Sequence, residues 1–91
     1  MENKNTLYFQ VGSEKSMETR KVLNDVYAAL KEKGYNPISQ LVGYVVSGDP
    51  TYVTNHKNAR ALITRIDRDD ILEEVFKFYL ENADRTNEEN A

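Results

Sequence analysis

Residues 33–50 read KGYNPISQLVGYVVSGDP, and this stretch contains one complete helix together with the signals that start and stop it. Gly34 is the residue type that ends a helix in the left-handed conformation, and Asn36 followed by Pro37 is typical of an N-cap and first helical position. Before Gly48, the apolar residues keep the i, i+3 and i+4 spacing of a helix: Ile38, Leu41, Val42, Val45 and Val46. The stretch predicts a short apolar helix, which we expect to lie at the centre of the molecule.

The chain before this stretch predicts a longer helix over residues 16–33. Ser16 suits the N-cap position, and Gly34 suits the position that follows the last helical residue. The apolar residues of this segment recur at helical spacing and form one stripe: Val22, Leu23, Val26, Tyr27 and Leu30. We therefore expect an amphipathic helix whose apolar stripe faces the core.

The chain after this stretch predicts one short helical turn and two further helices. Asp49 and Pro50 repeat the cap-plus-proline signal for a single turn that carries Tyr52 and Val53, and Asp67 suits the start of the last helix. The apolar positions of the two helices follow helical spacing: Ala59, Leu62, Ile63 and Ile66, then Ile71, Leu72, Val75, Phe76, Tyr79 and Leu80. The predicted fold class is all-α, a compact bundle of four main helices plus one short helical turn, with an extended N-terminal segment.

The two ends of the chain differ from this helical middle. Leu7, Phe9 and Val11 alternate with more polar neighbours, which predicts an extended segment near the N-terminus. The last residues are polar and have almost nothing to bury, which predicts a disordered tail. The predicted organisation has three segments: residues 1–15, flexible or extended; residues 16–80, the helical domain; and residues 81–91, a disordered acidic tail.

The composition narrows the possible functions. The 91 residues allow one small domain, and the net charge of -3 disfavours a general affinity for nucleic acids. The chain has no cysteine and a single histidine, His56, which excludes disulfides, a thiolate nucleophile and multi-histidine metal clusters. No apolar run approaches the about 20 residues of a membrane span. We expect a cytoplasmic protein that needs neither metal nor cofactor.

The small size of the domain predicts self-association. A folded chain of this length buries only about 60% of the surface that its unfolded chain exposes, so its core leaves little surplus stability. Since disulfides and metals are not available, association with a second copy is the simplest way to bury more apolar surface. We predict a homodimer with five candidate interface residues: Val45, Val46, Phe76, Tyr79 and Leu80.

The polar clusters give little support for catalysis. The acidic residues between Asp67 and Glu74 could bind Mg²⁺ or transfer protons, but their spacing is better explained by a helix start whose dipole they complement. His56 has no nucleophile or orienting carboxylate fixed near it in the sequence. The phosphate-loop, dinucleotide-binding and nucleophile-elbow patterns do not occur. We predict that the protein is not an enzyme.

A small nucleic-acid-binding regulator is one alternative. Residues 37–66 resemble a helix-turn-helix in outline. Several basic side chains in and after this segment give a local excess of positive charge: His56, Lys57, Arg60, Arg65 and Arg68. Only part of this charge shares one helix face, so a solvated face is the simpler interpretation.

Regulation by phosphorylation is another alternative. Thr6 lies in a short terminal segment that a kinase could reach, directly before the apolar Leu7. A phosphate would add about −1.5 to −2 charges there. This charge would either lift the segment off a hydrophobic groove or be captured by basic side chains. The candidate phosphate or partner contacts are Lys57, Arg60 and Arg68, and the rival acceptors are Ser13 and Ser16.

Two sequence blocks are specific: Gly-Tyr-Asn-Pro-Ile at residues 34–38, followed by Ser-Gly-Asp-Pro at residues 47–50. Further residues belong to the same pattern: Val26-Tyr27, Lys33, Gln40-Leu41-Val42-Gly43-Tyr44, Tyr52, Ala59-Arg60, Arg68-Asp69 and Tyr79-Leu80. From about Thr6 to Leu80, the chain resembles the IreB family of small regulatory phosphoproteins of Gram-positive bacteria.

The resemblance implies a cytoplasmic, non-enzymatic, compact helical homodimer. It also implies that a membrane-anchored Ser/Thr kinase that senses the cell envelope phosphorylates the protein and that a cognate phosphatase opposes this kinase. The protein itself is then expected to act in the control of cell-wall stress and antibiotic tolerance. The family's N-terminal phosphoacceptor matches Thr6. A second threonine that the family can carry slightly earlier is absent here, where Asn3 and Lys4 stand. The downstream protein stays unidentified.

Overall fold

The structure, a computed structural model, describes the backbone of residues 2–90 and the side chains of residues 14–83. Its elements are, in chain order, helix α1 (Glu2–Glu32), helix α2 (Pro37–Ser47), two 3₁₀ turns (Pro50–Tyr52 and His56–Asn58), helix α3 (Ala59–Ile63) and helix α4 (Arg68–Asn90). The described backbone contains no strand, so the predicted all-α class with four helices is confirmed. The second 3₁₀ turn was not predicted, and it leads directly into α3.

Side-chain caps start the helical segments in the middle of the chain as the sequence predicts. The Asn36 side chain accepts a hydrogen bond from the backbone N–H of Ser39 at 3.1 Å, at the start of α2. The Asp49 side chain accepts one from the backbone N–H of Thr51 at 3.0 Å, at the start of the first 3₁₀ turn. Each cap satisfies a backbone donor that has no partner within its own helix.

Glycines in the left-handed conformation end α1 and α2. Gly34 has a φ of 90°, and the N–H of Tyr35 donates to the carbonyl of Leu30 at 3.1 Å, which closes a Schellman motif. Gly48 has a φ of 76°, and its N–H donates to the carbonyl of Tyr44 at 2.7 Å. Both stop positions are therefore as predicted.

Helix α1, and not α2, is the central element. It packs against α2, α3 and α4, and its apolar stripe supplies the largest share of the buried residues. Of the α2 residues, only Tyr44 is buried, while Ile38, Val42 and Val46 are exposed. The prediction of a central α2 is wrong because a helix that is apolar on several faces can bury only one of them in so small a domain. The core consists of Val22, Val26, Ala29, Leu30, Tyr44, Val53, Ala59, Ile63, Ile66 and Ile71.

The first and last helices are longer than predicted. Helix α1 begins at Glu2, so residues 6–11 are helical and the predicted extended N-terminal segment is wrong. A single strand would leave its backbone N–H and C=O groups without partners, whereas a helix pairs them internally. Helix α4 continues to Asn90 through the predicted tail, which is rich in good helix formers such as Glu. The predicted flexibility of residues 1–15 and the predicted disorder of residues 81–91 stay predictions.

Within the described part of the chain, no helix is both long enough and apolar enough to span a membrane.

Candidate functional site

The three basic residues predicted to contact phosphate or a partner make contacts within the chain. Lys57 Nζ lies 2.9 Å from Glu32 Oε1 at the end of α1. Arg60 Nε donates to the carbonyl of Val53 at 2.9 Å, and Arg68 Nη1 donates to the carbonyl of Val45 at 2.9 Å. Lys57 thus connects the turn before α3 to α1, Arg60 connects α3 to the residue after the first 3₁₀ turn, and Arg68 connects α4 to α2. That these three residues contact a phosphate group or a partner protein stays a prediction.

Helix α3 also bears on the helix-turn-helix alternative. It comprises only the five residues Ala59–Ile63, and Arg60 within it is engaged with the backbone of the preceding turn. A recognition helix needs enough exposed length to lie in the major groove and present several side chains to base edges. The geometry therefore adds nothing in favour of nucleic-acid binding.

His56 belongs to a small ionic cluster on the surface. Its Nε2 lies 2.9 Å from Glu32 Oε1, the same oxygen that contacts Lys57. The hydrogen bonds from Lys57 and His56 hold the pKa of Glu32 below its ordinary value. Lys57 and Asn58 adopt positive φ angles of 54° and 62°, a backbone region that non-glycine residues seldom adopt. The cluster ties the start of α3 to the end of α1.

A second polar cluster, which sequence reasoning missed, lies between α1 and α4. Glu74 is only 7% exposed, and its carboxylate accepts hydrogen bonds from the Ser16 hydroxyl at 2.6 Å and from Arg20 Nε. Lys15 Nζ lies 3.4 Å from Asp70 Oδ2 beside it. Because these contacts join residues that are more than 50 positions apart, they fix how α4 lies on α1.

The electrostatics of Glu74 show that its charge is well compensated. Burial raises the pKa of Glu74, but the hydrogen bonds from Ser16 and Arg20 and the positive charges of Arg20 and Lys77 outweigh this effect. The net pKa therefore lies below the ordinary value of 4.5. The sequence carried one signal for this residue: Glu74 follows the buried Ile71 by three positions, which places it on the inner side of α4.

This cluster also changes the interpretation of two predicted features. Ser16 lies inside α1 and not at its N-cap, because the helix begins fourteen positions earlier, at Glu2. The acidic residues after Asp67 do not act as one group, since Asp70 pairs with Lys15 and Glu74 pairs with Arg20. Within residues 14–83, no three potential ligands lie close enough together to hold a metal ion.

Of the predicted phosphoacceptors, the structure describes the side chain of Ser16 alone. Thr6 lies in the first two turns of α1, but the side chains of Thr6 and Ser13 lie outside the described residues. Ser16 is half-buried, and its hydroxyl already donates to Glu74.

Four of the five predicted interface residues are exposed in the single chain. Val46 on α2 is 78% exposed, and three residues of α4 are each more than half exposed: Phe76, Tyr79 and Leu80. Val45 is half-buried against the core. Large exposed apolar side chains in such number are typical of an interaction surface. The homodimer itself stays a prediction.

Between α1 and α4 lies an open groove of about 770 Å³. Its walls are mainly apolar, and the ion pair between Arg20 and Glu74 contributes to its lining. The lining residues are Arg20, Leu23, Asn24, Glu74, Val75, Phe78, Tyr79, Asn82 and Ala83. This size and lining are typical of a binding site for part of another molecule.

The chain is similar in sequence to known proteins of one family. The family model described as "IreB regulatory phosphoprotein" matches residues 4–81. A UPF0297 protein of Ruminiclostridium cellulolyticum is 61% identical over 77 residues, which cover 85% of this chain and 88% of the relative. A UPF0297 protein of Acetivibrio thermocellus is 57% identical over 83 residues, covering 91% and 92% of the two chains. One of Lachnoclostridium phytofermentans is 54% identical over 78 residues, covering 86% and 89%.

Proposed function

Because this chain belongs to the IreB family of regulatory phosphoproteins, we propose that it is a cytoplasmic substrate of a membrane-anchored, envelope-sensing Ser/Thr kinase. In this proposal, phosphate on Thr6 changes the binding of the protein to a downstream protein, and a cognate phosphatase reverses the change. The output is the control of cell-wall stress and antibiotic tolerance. The observation that carries the proposal is the family match over residues 4–81, which includes Thr6.

The position of Thr6 supports a mechanism based on charge. Thr6 is the fifth residue of α1, so a phosphate there would add about −1.5 to −2 charges close to the positive end of the helix dipole. The neighbouring Leu7 and Phe9 are large and apolar, and a charge beside them alters how readily this segment docks on an apolar surface. Phosphorylation thus shifts the N-terminal turns between docked and free states.

The proposal includes a homodimer. Its support is the exposed apolar surface of α2 and α4, part of which association with a second copy would remove from water. A dimer would also give the kinase and the downstream protein two equivalent sites, because a two-fold interface repeats every surface of the protomer.

The site prediction is tested by incubation of the full chain with the host's envelope-sensing kinase and ATP, followed by mapping of phosphate by mass spectrometry. We expect phosphate on Thr6. Thr6→Ala should abolish the main product, whereas Ser13→Ala, the matched control in the same helical segment, should leave it unchanged. Phosphate found only on Ser13, on Ser16 or beyond residue 80 would contradict the site.

The mechanism is tested separately by amide exchange on the stoichiometrically phosphorylated chain. We expect altered exchange in residues 7–11 and in at least one of the helices α2, α3 and α4. Unchanged exchange in all of these segments would contradict the mechanism even if phosphate is on Thr6.

A further inference from the structure

We propose that Ser16 is a second regulatory phosphorylation site, at which a phosphate releases α4 from α1. The sequence offers Ser16 only as a rival to Thr6, whereas the structure gives its hydroxyl a separate position, inside the contact between these two helices. The inference goes beyond the phosphate on Thr6. It rests on the proposed function in one respect, namely that a Ser/Thr kinase acts on this protein.

Polar contacts between α1 and α4 form one cluster around Ser16. The Ser16 hydroxyl donates to Glu74 Oε1 at 2.6 Å, and Arg20 Nε donates to the other oxygen of the same carboxylate. Lys15 Nζ lies 3.4 Å from Asp70 Oδ2. Asp70 and Glu74 are neighbours one turn apart on α4, so a single change at Ser16 acts on the whole cluster.

Apolar packing holds only a small part of α4. Among the described residues of this helix, Ile71 is the one apolar side chain that is buried. The large apolar residues that follow it are all more than 40% exposed: Leu72, Val75, Phe76, Phe78, Tyr79 and Leu80. Because α4 packs mainly against α1, the polar cluster has a large share in positioning residues 72–83.

Phosphorylation changes the Ser16 oxygen from a donor into a charged acceptor. This oxygen bonds to the γ-phosphorus of ATP on the kinase, the bond between that phosphorus and the ADP oxygen breaks, and the hydroxyl proton passes to the catalytic base of the kinase. The product adds about −1.5 to −2 charges and has lost the proton that the hydroxyl donated. The contact with Glu74 therefore changes from attraction to repulsion between like charges.

The phosphate also competes with Glu74 for Arg20. Residues at i and i+4 are neighbours on a helix surface, so Arg20 can bind a phosphate on Ser16 through charge-assisted hydrogen bonds. The Arg20 side chain is 54% exposed and has room to turn, whereas Glu74 is buried. Once Arg20 turns away, Glu74 is a buried charge without compensation. This state is costly until α4 moves off and water reaches the carboxylate.

The position of Ser16 links kinase access to the same movement. Ser16 is half-buried and its hydroxyl is engaged, so a kinase reaches it when α4 is displaced. Segments with few buried apolar contacts open at a lower free energy than the whole domain does, and α4 after Ile71 is such a segment. Among the described residues of α1, the first buried one is Thr19, so the turn that carries Ser16 opens without disturbing the core.

Release of α4 has a consequence for the surface of the molecule. The groove between α1 and α4 has one wall on each of these helices, with Leu23 on the first and Val75 on the second. A phosphate on Ser16, added while the helices are apart, keeps them apart and removes the groove. The modification thus switches off binding that depends on this groove.

The first test measures amide exchange of the full chain with genetically encoded phosphoserine at residue 16. We expect residues 72–83 to exchange at least about tenfold faster than in the unmodified chain, as for the loss of an interaction with a charged group. Residues 22–30, which contain core positions of α1, should exchange at the unmodified rate. Phosphoserine at residue 39 is the matched control, since Ser39 is exposed near the start of α2.

Two variants show how the phosphate acts. Ser16→Ala removes the hydrogen bond without adding charge, so it should accelerate exchange in α4 less than the phosphate does. Glu74→Gln replaces the repelled carboxylate with an amide that can donate to the phosphate. In that chain, phosphate on Ser16 should therefore accelerate exchange in α4 less than it does in the wild type.

The second test measures the modification itself. The Thr6→Ala chain, which lacks the main acceptor, is incubated with the host's envelope-sensing kinase and ATP, and phosphate is mapped by mass spectrometry. We expect slow incorporation at Ser16. Addition of Glu74→Gln should make it faster, because the hydroxyl is then held by a weaker acceptor. Addition of Ser16→Ala should abolish it.

Four results would overturn the inference. With phosphate on Ser16, residues 72–83 could exchange as in the unmodified chain, or all helices could lose protection together, which would show that Ser16 holds the whole domain. The phosphate could act equally in the wild type and in Glu74→Gln, or no kinase reaction could modify Ser16. Phosphate on Ser16 but not on Thr6 would contradict the Thr6 site alone, whereas phosphate on Thr6 but never on Ser16 would contradict this inference alone.

Discussion

At the scale of single residues, Glu74 is the one buried charged side chain among residues 14–83. A buried carboxylate is costly unless hydrogen bonds and an opposite charge compensate it, and here Ser16 and Arg20 supply both. The sequence could not identify this arrangement, because the three residues lie on two helices that are far apart along the chain. Reasoning from local spacing instead assigned Ser16 to a cap and Glu74 to a helix start.

The Ser16 hydroxyl should contribute measurably to stability. We expect Ser16→Ala to lower the free energy of unfolding at neutral pH by about 1.5 to 3 kcal/mol, the range for a hydrogen bond to a charged group. Chemical denaturation measures the change. Ser39→Ala is the matched control, since Ser39 is exposed near the start of α2, and it should change stability by less than about 0.5 kcal/mol.

The same comparison should depend on pH in a defined direction. The folded-state pKa of Glu74 lies below its ordinary value of 4.5, so its stabilising effect is complete above that value and is lost as the pH falls through the folded-state pKa. The difference between the wild type and Ser16→Ala should therefore shrink as the pH falls through the folded-state pKa of Glu74. A difference that stays constant as the pH is lowered would show that the hydroxyl does not act through the ionised carboxylate.

At the scale of elements, local chemistry made the middle of the chain predictable. The caps at Asn36 and Asp49 and the stops at Gly34 and Gly48 are properties of a few adjacent residues, and the structure has all four. The central position of α1 depends instead on tertiary packing, because the other helices pack against the apolar stripe of α1 and not against that of α2. The greater hydrophobicity of α2 was therefore misleading.

The two helix-ending glycines allow a matched test of element packing. Both have positive φ, so alanine at either position should cost about 1 to 2 kcal/mol of unfolding free energy. A Cβ at Gly34 would meet nothing within 4 Å, whereas one at Gly48 would lie 2.9 Å from the Arg68 guanidinium carbon. Gly48→Ala should therefore cost more, because it also displaces Arg68 from the carbonyl of Val45. Equal losses in thermal or chemical denaturation would show that Arg68 does not tie α4 to α2.

At the scale of the whole molecule, the family resemblance predicted more of the function than the residue patterns did. The resemblance pointed to Thr6 and to a regulatory phosphoprotein, and the family match confirms the family. The groove could not be predicted, because it exists only where Arg20 and Leu23 of α1 come beside Val75 and Phe78 of α4. Patterns within one helix show that a face is apolar, but not which face of another helix it meets.

The predicted homodimer depends on apolar surface that the single chain leaves exposed, so it can be tested without disturbing the core. Val46 and Phe76 are 78% and 58% exposed, and replacing both with serine removes apolar contacts while costing the protomer little stability. We expect the dimer dissociation constant, measured by sedimentation equilibrium, to rise by at least about tenfold, because truncation of an interface anchor typically costs more than about 1 kcal/mol. Met17→Ser is the matched control, since Met17 is 63% exposed on α1, and helical circular dichroism should be equal in all variants. A wild type that stays monomeric, or a double variant that associates as the wild type does, would contradict this interface.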